Sequence, residues 1–258
     1  MKTSLYSIAV ETALEAGNIL NKHFGKAEIS NNKSSRSVDV VTKLDTDIEN
    51  FIAEKLYKYD SSIGFLGEEF GERKKSNSFW LVDPIDGTAH FVRGMPFCTT
   101  MIALVENGEV VLTVINNFIT KELYIAEKGK GAKLNEKPIY VSNRSLKDSY
   151  ISFESNLTSE KNLKTYQTLN DKCILFHTIN CGYEYGLIAS GKIEGRICLD
   201  PFGKDWDYAP GSLLVSEAGG IVRNIGKTTY DYKDHNFLAT NKIIYGELTR
   251  DKVGLFSP

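Results

Sequence analysis

The stretch LVDPIDGTAH, residues 81–90, follows Trp80 and places Asp83 and Asp86 three apart across a proline, then runs into Gly87 and Thr88. A strand that only has to turn needs one Asp or a Pro-Gly pair, because proline fixes φ and glycine tolerates φ > 0. DPIDG is adequate as a turn. It also offers two carboxylates, a backbone that can approach a ligand closely, and a hydroxyl, all where a strand ends. Which of these the stretch serves depends on what surrounds it.

Other acidic residues recur where predicted strands end: Glu68-Glu69 after GFLG, and Asp205 and Asp207 around Trp206. Strand ends gathered at one sheet edge would crowd these carboxylates, which would repel one another and shift their pKa values upward. A hard divalent cation removes the conflict. Mg2+ takes oxygen ligands and is commonly held by one or two carboxylates plus substrate phosphate. No Cys/His spacing of the zinc type is present, so magnesium fits better than zinc. If the turn after Asp86 opens a helix, its first N–H groups can hold an anion and the Thr88 hydroxyl can orient a water. Together these features point to metal-assisted phosphate ester hydrolysis. Each residue also has an ordinary use: Glu68-Glu69 as a solvated face, Asp207 as a helix cap, and Asp45 and Asp47 as first-turn acids.

Working outward, residues 5–24 place apolar side chains at helical spacing, with Thr3 or Ser4 as N-cap. A polar loop, GKAEISNNKSSRSVD, leads to a second helix beginning just after LDTD. SIGFLGEE and SFWLVD read as strands, and Arg73-Lys74-Lys75 as a solvated loop. TTMIALVENGEVVLTVINNF reads as two strands joined at Asn107-Gly108, and ELYIAEKGKGAKLN continues as strand, turn, strand. After residue 145 the pattern alternates: strands SYISFE, CILFHT, GRICLD, GGIVR and NFLATN, with helices over 159–170, GYEYGLIASG, 207–218 and 243–253. The expectation is an antiparallel N-terminal sheet in residues 1–145 and an α/β half in residues 146–258, packed intimately as one unit. GLIASGKI, residues 186–193, nearly matches a nucleotide P-loop but ends in Ile193, which supplies no hydroxyl for Mg2+, and reads as helix.

The sequence resembles the inositol monophosphatase family of magnesium-dependent, lithium-sensitive phosphatases over nearly its whole length. DVVTKLDTDIE resembles the family's DxVTxxD segment and LGEE its GEE. WLVDPIDGTAHFVRGMPF and WDYAPGSLLVSEAGG resemble its two long signatures. The resemblance implies a layered α-β-α-β-α sandwich and a homodimer. It implies a first metal on Glu68, Asp83 and the Ile85 carbonyl, and a second on Asp83, Asp86 and Asp207. A third, weaker Mg2+ would use Glu68 again, giving two to three ions per site. Gly87 and Thr88 would bind phosphate, and Thr88 paired with Asp45 would position and help deprotonate the attacking water. Asn180 and Cys181 fall where a Ser and an Ala of the family touch the sugar ring, and Asp200 is the equivalent of the acid ahead of the Trp-Asp pair that binds substrate hydroxyls. The chain departs from the pattern at Ala89 and His90, which supply no ligand, and His90 is expected to be a structural side chain. Lys33, in the loop after the first helix, could approach the metals or stay in solvent.

The implied substrate is inositol monophosphate or a similar small polyol or sugar phosphate. Fructose-1,6-bisphosphate, histidinol phosphate and 3'-phosphonucleotides are hydrolysed on the same scaffold, and some family members act as partner-binding regulators. Bulk properties agree with a soluble enzyme. The 258 residues carry a net charge of -2, so no basic field attracts nucleic acid or an acidic membrane. The first residues lack a signal peptide's apolar run and no segment approaches a membrane span, so the expected location is the cytoplasm. Four cysteines without CxxC spacing are expected as reduced, mostly buried thiols.

Overall fold

The computed structural model describes residues 4–32, 40–249 and 255–256. Helix α1 (Leu5–Asn21) begins at Ser4, whose hydroxyl accepts from the Ser7 N–H at 3.1 Å, and buries Ile8, Ala9, Ala13, Ala16 and Leu20. The polar stretch expected as a loop contains a strand: β1 (Ile29–Asn32) pairs antiparallel with β2 (Val40–Thr42). Ladder hydrogen bonds are made by the backbone, so a polar ribbon gives no alternating pattern to read. Lys33 lies outside the described residues. Helix α2 (Lys43–Tyr59) starts earlier than expected, with LDTD at its second to fifth positions. The reason is a capping box, in which Thr42 caps the helix and Asp45, at the third helical position, bonds back to it.

The first sheet contains β3 (Gly64–Gly67), β4 (Gly71–Lys74) and β5 (Ser78–Asp86). The short helix α3 (Thr88–Val92) follows, then β6 (Thr99–Glu106), β7 (Glu109–Asn117), β8 (Glu122–Glu127), β9 (Ala132–Leu134) and β10 (Lys137–Ile139). Their order is β10-β9-β8-β7-β6-β5-β3-β4, antiparallel throughout except for β3 beside β5. Arg73 and Lys74, read as loop, belong to β4. It is an edge strand, where exposed charged side chains are at home. Asn107 and Gly108 both take positive φ (50° and 84°), which matches the twist of the β6–β7 hairpin.

The second sheet arises from β11 (Tyr150–Ser155), helix α4 (Glu160–Asn170), β12 (Ile174–His177), helix α5 (Cys181–Ala189) and β13 (Gly195–Leu199). Helix α6 (Asp205–Glu217), β14 (Ile221–Asn224), β15 (Phe237–Thr240) and helix α7 (Lys242–Thr249) complete it. The order is β12-β11-β13-β15-β14, with the β11 pairs parallel and the β15 pairs antiparallel. The last residues expected in α7 lie outside the described residues.

The two sheets are buried on both faces, which explains their near-continuous apolar runs. Trp80, Val82, Ile102 and Leu104 pack under α1 and α2. Met101, Ile115 and Tyr124, on the opposite face, join Tyr185, Ile188, Leu213 and Leu214 of α5 and α6. Leu169 of α4 and Ile244 and Leu248 of α7 cover Ile151, Phe153 and Ile197 on the far side of the second sheet. The result is the expected α-β-α-β-α sandwich, and α5 and α6 form its middle layer between the two sheets. No helix among the described residues is long and apolar enough to cross a membrane. All four cysteines are buried and free.

Candidate active site

The spacing of the two aspartates is explained by the register of β5. Asp83 pairs with Met101 and Asp86 with Thr99, so three steps on β5 oppose two on β6. Side chains alternate along a strand, and residues three apart would otherwise face opposite sides. The extra residue is a β-bulge at Pro84-Ile85, where a missing N–H costs no ladder bond. It turns Asp83 and Asp86 toward the same cavity.

That cavity, about 860 Å³, opens between the two sheets and is lined by Glu68, Asp83, Ile85, Asp86 and Asp207. Gly87, Thr88, Asn180, Cys181 and Glu154 also border it. Glu68 stands just past β3, its N–H bonded to the Val82 carbonyl at 3.2 Å. The turn is held from below by Glu49 of α2, fully buried, which accepts from the N–H groups of Glu69 (2.7 Å) and Phe70 (3.1 Å). Asp86 Oδ2 accepts from the Gly182 N–H at the start of α5 (2.6 Å) and from the Thr99 hydroxyl (3.0 Å). Asp207, the third residue of α6, accepts from the Lys204 N–H at 2.6 Å. It is therefore both a helix-capping residue and a wall of the cavity.

Thr88 and Asp45 meet at one edge. The Thr88 hydroxyl lies 2.7 Å from Asp45 Oδ1 and 3.0 Å from the Ile85 carbonyl, and both side chains are buried. Asp45 Oδ2 accepts from the N–H and hydroxyl of Thr42 (2.8 and 2.7 Å). Gly87 takes φ 87°, and with Thr88 it opens α3, where N–H groups have no intrahelical partner.

The cluster is electrostatically incomplete. Asp83 Oδ1 is buried with no hydrogen-bond partner among the described residues. Burial, then the charges of Glu68, Asp86 and Asp207, push the Asp83 carboxyl well above the usual range. Asp207 is raised by withdrawal from solvent and by Glu68 and Asp86. Asp86 is lifted by burial to about 6, held back by Gly182, Thr99 and Arg196. Oxygen donors that repel one another and leave a buried lone pair unused fit a hard divalent cation. Glu68, Asp83, Asp86, Asp207 and the Ile85 carbonyl could hold it.

The expected substrate contacts are only partly gathered. Asn180 caps α5 and lines the cavity. Cys181, the first residue of α5, lines the cavity as well, but its sulfur sits within 4.8 Å of oxygens of Asp86 and Asp207 and accepts from Arg196 Nη2 at 3.1 Å. Asp200 does not line the cavity. At φ 47° it turns away to accept from Asn162 Nδ2 at 2.9 Å, and its N–H donates to Asn236 Oδ1 at 2.7 Å. The acid on that wall is Glu154, at the end of β11. It accepts from the Phe202 N–H and the Tyr208 hydroxyl, both at 2.9 Å. Arg196, fully buried, bridges Glu154 and Glu184 and donates to the Cys181 and Cys198 sulfurs and the Thr178 hydroxyl. His90 also lines the cavity, half-buried and edge-on to Phe97, and burial lowers its pKa.

The sequence profile of the inositol monophosphatase family matches residues 1–253. The chain is 32% identical to the Nus factor SuhB of Xylella fastidiosa over 231 residues, 86% of this chain and 82% of that protein. It is 33% identical to inositol monophosphatase 3 of Solanum lycopersicum, covering 91% of each. The crystal structure of the extragenic suppressor protein suhB from Bartonella henselae superposes with a TM-score of 0.85 at 30% identity, covering 94% of this chain and 96% of that one. With matching profile, fold and layer order, the chain belongs to the inositol monophosphatase family.

Proposed function

We propose that this protein is a Mg2+-dependent phosphomonoesterase that releases inositol, or a similar small polyol or sugar, from its monophosphate. The observation that carries the reading is the bulge at Pro84-Ile85, which turns Asp83 and Asp86 to one wall beside Glu68, Asp207 and the Thr88–Asp45 pair. A turn without chemistry needs no such convergence.

Two to three Mg2+ ions, held by Glu68, Asp83, the Ile85 carbonyl, Asp86 and Asp207, would lower the pKa of a water and offset phosphoryl charge. The protein's own part is alignment and proton transfer. Thr88 Oγ1 accepts a proton from the attacking water while passing its own to Asp45 Oδ1, 2.7 Å away. The water oxygen bonds to phosphorus, the ester P–O bond breaks, and the departing alcohol takes its proton from solvent. The Gly87 and Thr88 N–H groups hold phosphoryl oxygens. Glu154, kept ionised by Arg196, faces the alcohol side, where hydroxyl groups can donate to it.

The test is phosphate release from a panel of inositol, sugar, histidinol and nucleotide phosphates, with Mg2+ and after chelation, with and without Li+. Mg2+-dependent, Li+-inhibited release favouring inositol phosphates is expected. No release from any ester, with Mg2+ binding unchanged in Asp86→Asn, overturns the reading.

A further inference from the structure

Asn180 carries a hydrogen-bond donor that finds no acceptor among the described residues. Its Oδ1 accepts from the Tyr183 N–H at 2.9 Å, capping α5, and that bond fixes which end of the amide is oxygen. The other end, Nδ2, is buried without a partner among the described residues, on a side chain with 4% exposure that lines the cavity. An unpaired buried amide is costly and persists where a ligand completes it.

The cap orients the amide so that Nδ2 lies beside Gly87. A Cβ built on Gly87 would fall 2.6 Å from Asn180 Nδ2 and 2.7 Å from the Phe97 carbonyl, so the amide lies directly against the Gly87 backbone. Because Oδ1 is committed to the cap, the amide can only donate, and its ligand must bring an acceptor. Gly87 and Asn180 border the same cavity, so an acceptor seated against the Gly87 backbone is within reach of both the amide and the Gly87 N–H. Donors offered side by side suit an anionic oxygen better than a hydroxyl, which needs an acceptor for its own proton.

We propose that the Asn180 side-chain amide donates to a phosphoryl oxygen of the substrate and of the released phosphate, making Asn180 part of the phosphate cradle rather than of the sugar subsite. This rests on the phosphatase reading above. Donors aimed where charge collects stabilise the transition state most when already in place, and the cap holds this one in place before substrate arrives.

The experiment is calorimetric titration of inorganic phosphate into the Mg2+-loaded wild type and into Asn180→Ser and Asn180→Asp, with ester hydrolysis measured on the same preparations. Serine and aspartate both cap helices well, so α5 is retained in each. Serine is too short to reach the oxygen, and aspartate puts a charged acceptor where the donor was. Phosphate affinity is expected to fall roughly 10- to 100-fold in Asn180→Ser, and further in Asn180→Asp. Wild-type phosphate affinity in Asn180→Ser, in an enzyme that hydrolyses esters, overturns the assignment and leaves the phosphatase reading standing. A raised KM for the ester with unchanged phosphate affinity does the same, and moves Asn180 to the alcohol side. A wild type that neither binds phosphate nor hydrolyses esters removes the reading itself and the assignment with it.

Discussion

Asp45 and Thr88, on α2 and α3, are joined by a 2.7 Å hydrogen bond through Asp45 Oδ1, while Oδ2 of the same carboxylate closes the capping box of α2 on Thr42. One side chain thus secures a helix and orients a hydroxyl that borders the cavity. An amide cannot do both, because one of its ends is a donor.

Asp45→Asn is therefore expected to lower stability by about 1 kcal/mol through the cap, and turnover by on the order of 100-fold or more through the lost proton acceptor. Thr88→Ser keeps the hydroxyl and is expected to retain turnover within roughly tenfold, given that a whole acid–base interaction is worth 10²–10⁴. Urea unfolding and steady-state kinetics on the two variants check this. Full turnover in Asp45→Asn would remove Asp45 from the proton path.

Without metal, the acidic cluster sets a pH dependence of known sign. Asp83, Asp86 and Asp207 all have folded-state pKa values above their unfolded ones, Asp86 at about 6. These three carboxyls therefore hold more protons in the folded protein than in the unfolded chain above pH ~4, where an unfolded Asp ionises, and their contribution to stability falls as pH rises. In chelator, Tm is expected to drop as pH climbs from about 4 through 6 and beyond. Saturating Mg2+ should reverse the trend by binding the ionised carboxylates. Thermal melts across pH with and without Mg2+ test it, and a chelated Tm that rises over that interval contradicts it.

Arg196 neutralises Glu154 and Glu184 with no access to water. Replacing it with methionine strands two buried carboxylates and is expected to cost about 3–5 kcal/mol. Glu184 also accepts from the Ile179 N–H at 2.6 Å, so the loss should reach the loop that presents Asn180. Denaturant melts of Arg196→Met measure the first effect, and phosphate affinity the second.

Gly182→Ala pits helix propensity against contact. Alanine in a helix usually stabilises by about 1 kcal/mol relative to glycine. Here its Cβ would meet the Thr99 hydroxyl, Met101 Sδ at 2.7 Å and Asp86 Oδ2 at 2.9 Å. Overpacking of this kind costs about 1–3 kcal/mol, so net destabilisation and weaker Mg2+ binding are expected. A more stable Gly182→Ala variant would mean that α5 can retreat from Asp86 freely.

Most of the layered fold is legible in the apolar periodicity, since α1, the β6–β7 hairpin and the alternating second half all carry strong local patterns. What was missed lacks such a pattern. β1 and β4 are polar strands whose signal is backbone pairing alone, and the Pro84-Ile85 bulge depends on register with β6. Glu154 was findable, because it ends the strand SYISFE as Asp83 ends FWLV. Asp200 stands ahead of the Trp206-Asp207 pair in sequence, but its backbone turns it away from the cavity. Arg196 is hidden, since a lone arginine in a strand gives no sign of the two acids that other elements bring to it.

The α6 helix that supplies Asp207 is also the middle layer that both sheets pack against. During synthesis the N-terminal sheet can emerge from the ribosome with Asp45, Glu68, Asp83, Asp86 and Thr88 already made. It has neither Asp207 nor the Gly182 N–H that holds Asp86, and one face lacks its cover. On the proposed reading, nascent chains and products of premature termination before residue 207 would lack a complete acidic cluster, and they leave uncovered an apolar face of the kind that chaperones and proteases recognise. The last acid of the cluster and the cover for the first sheet arrive together, with the same helix.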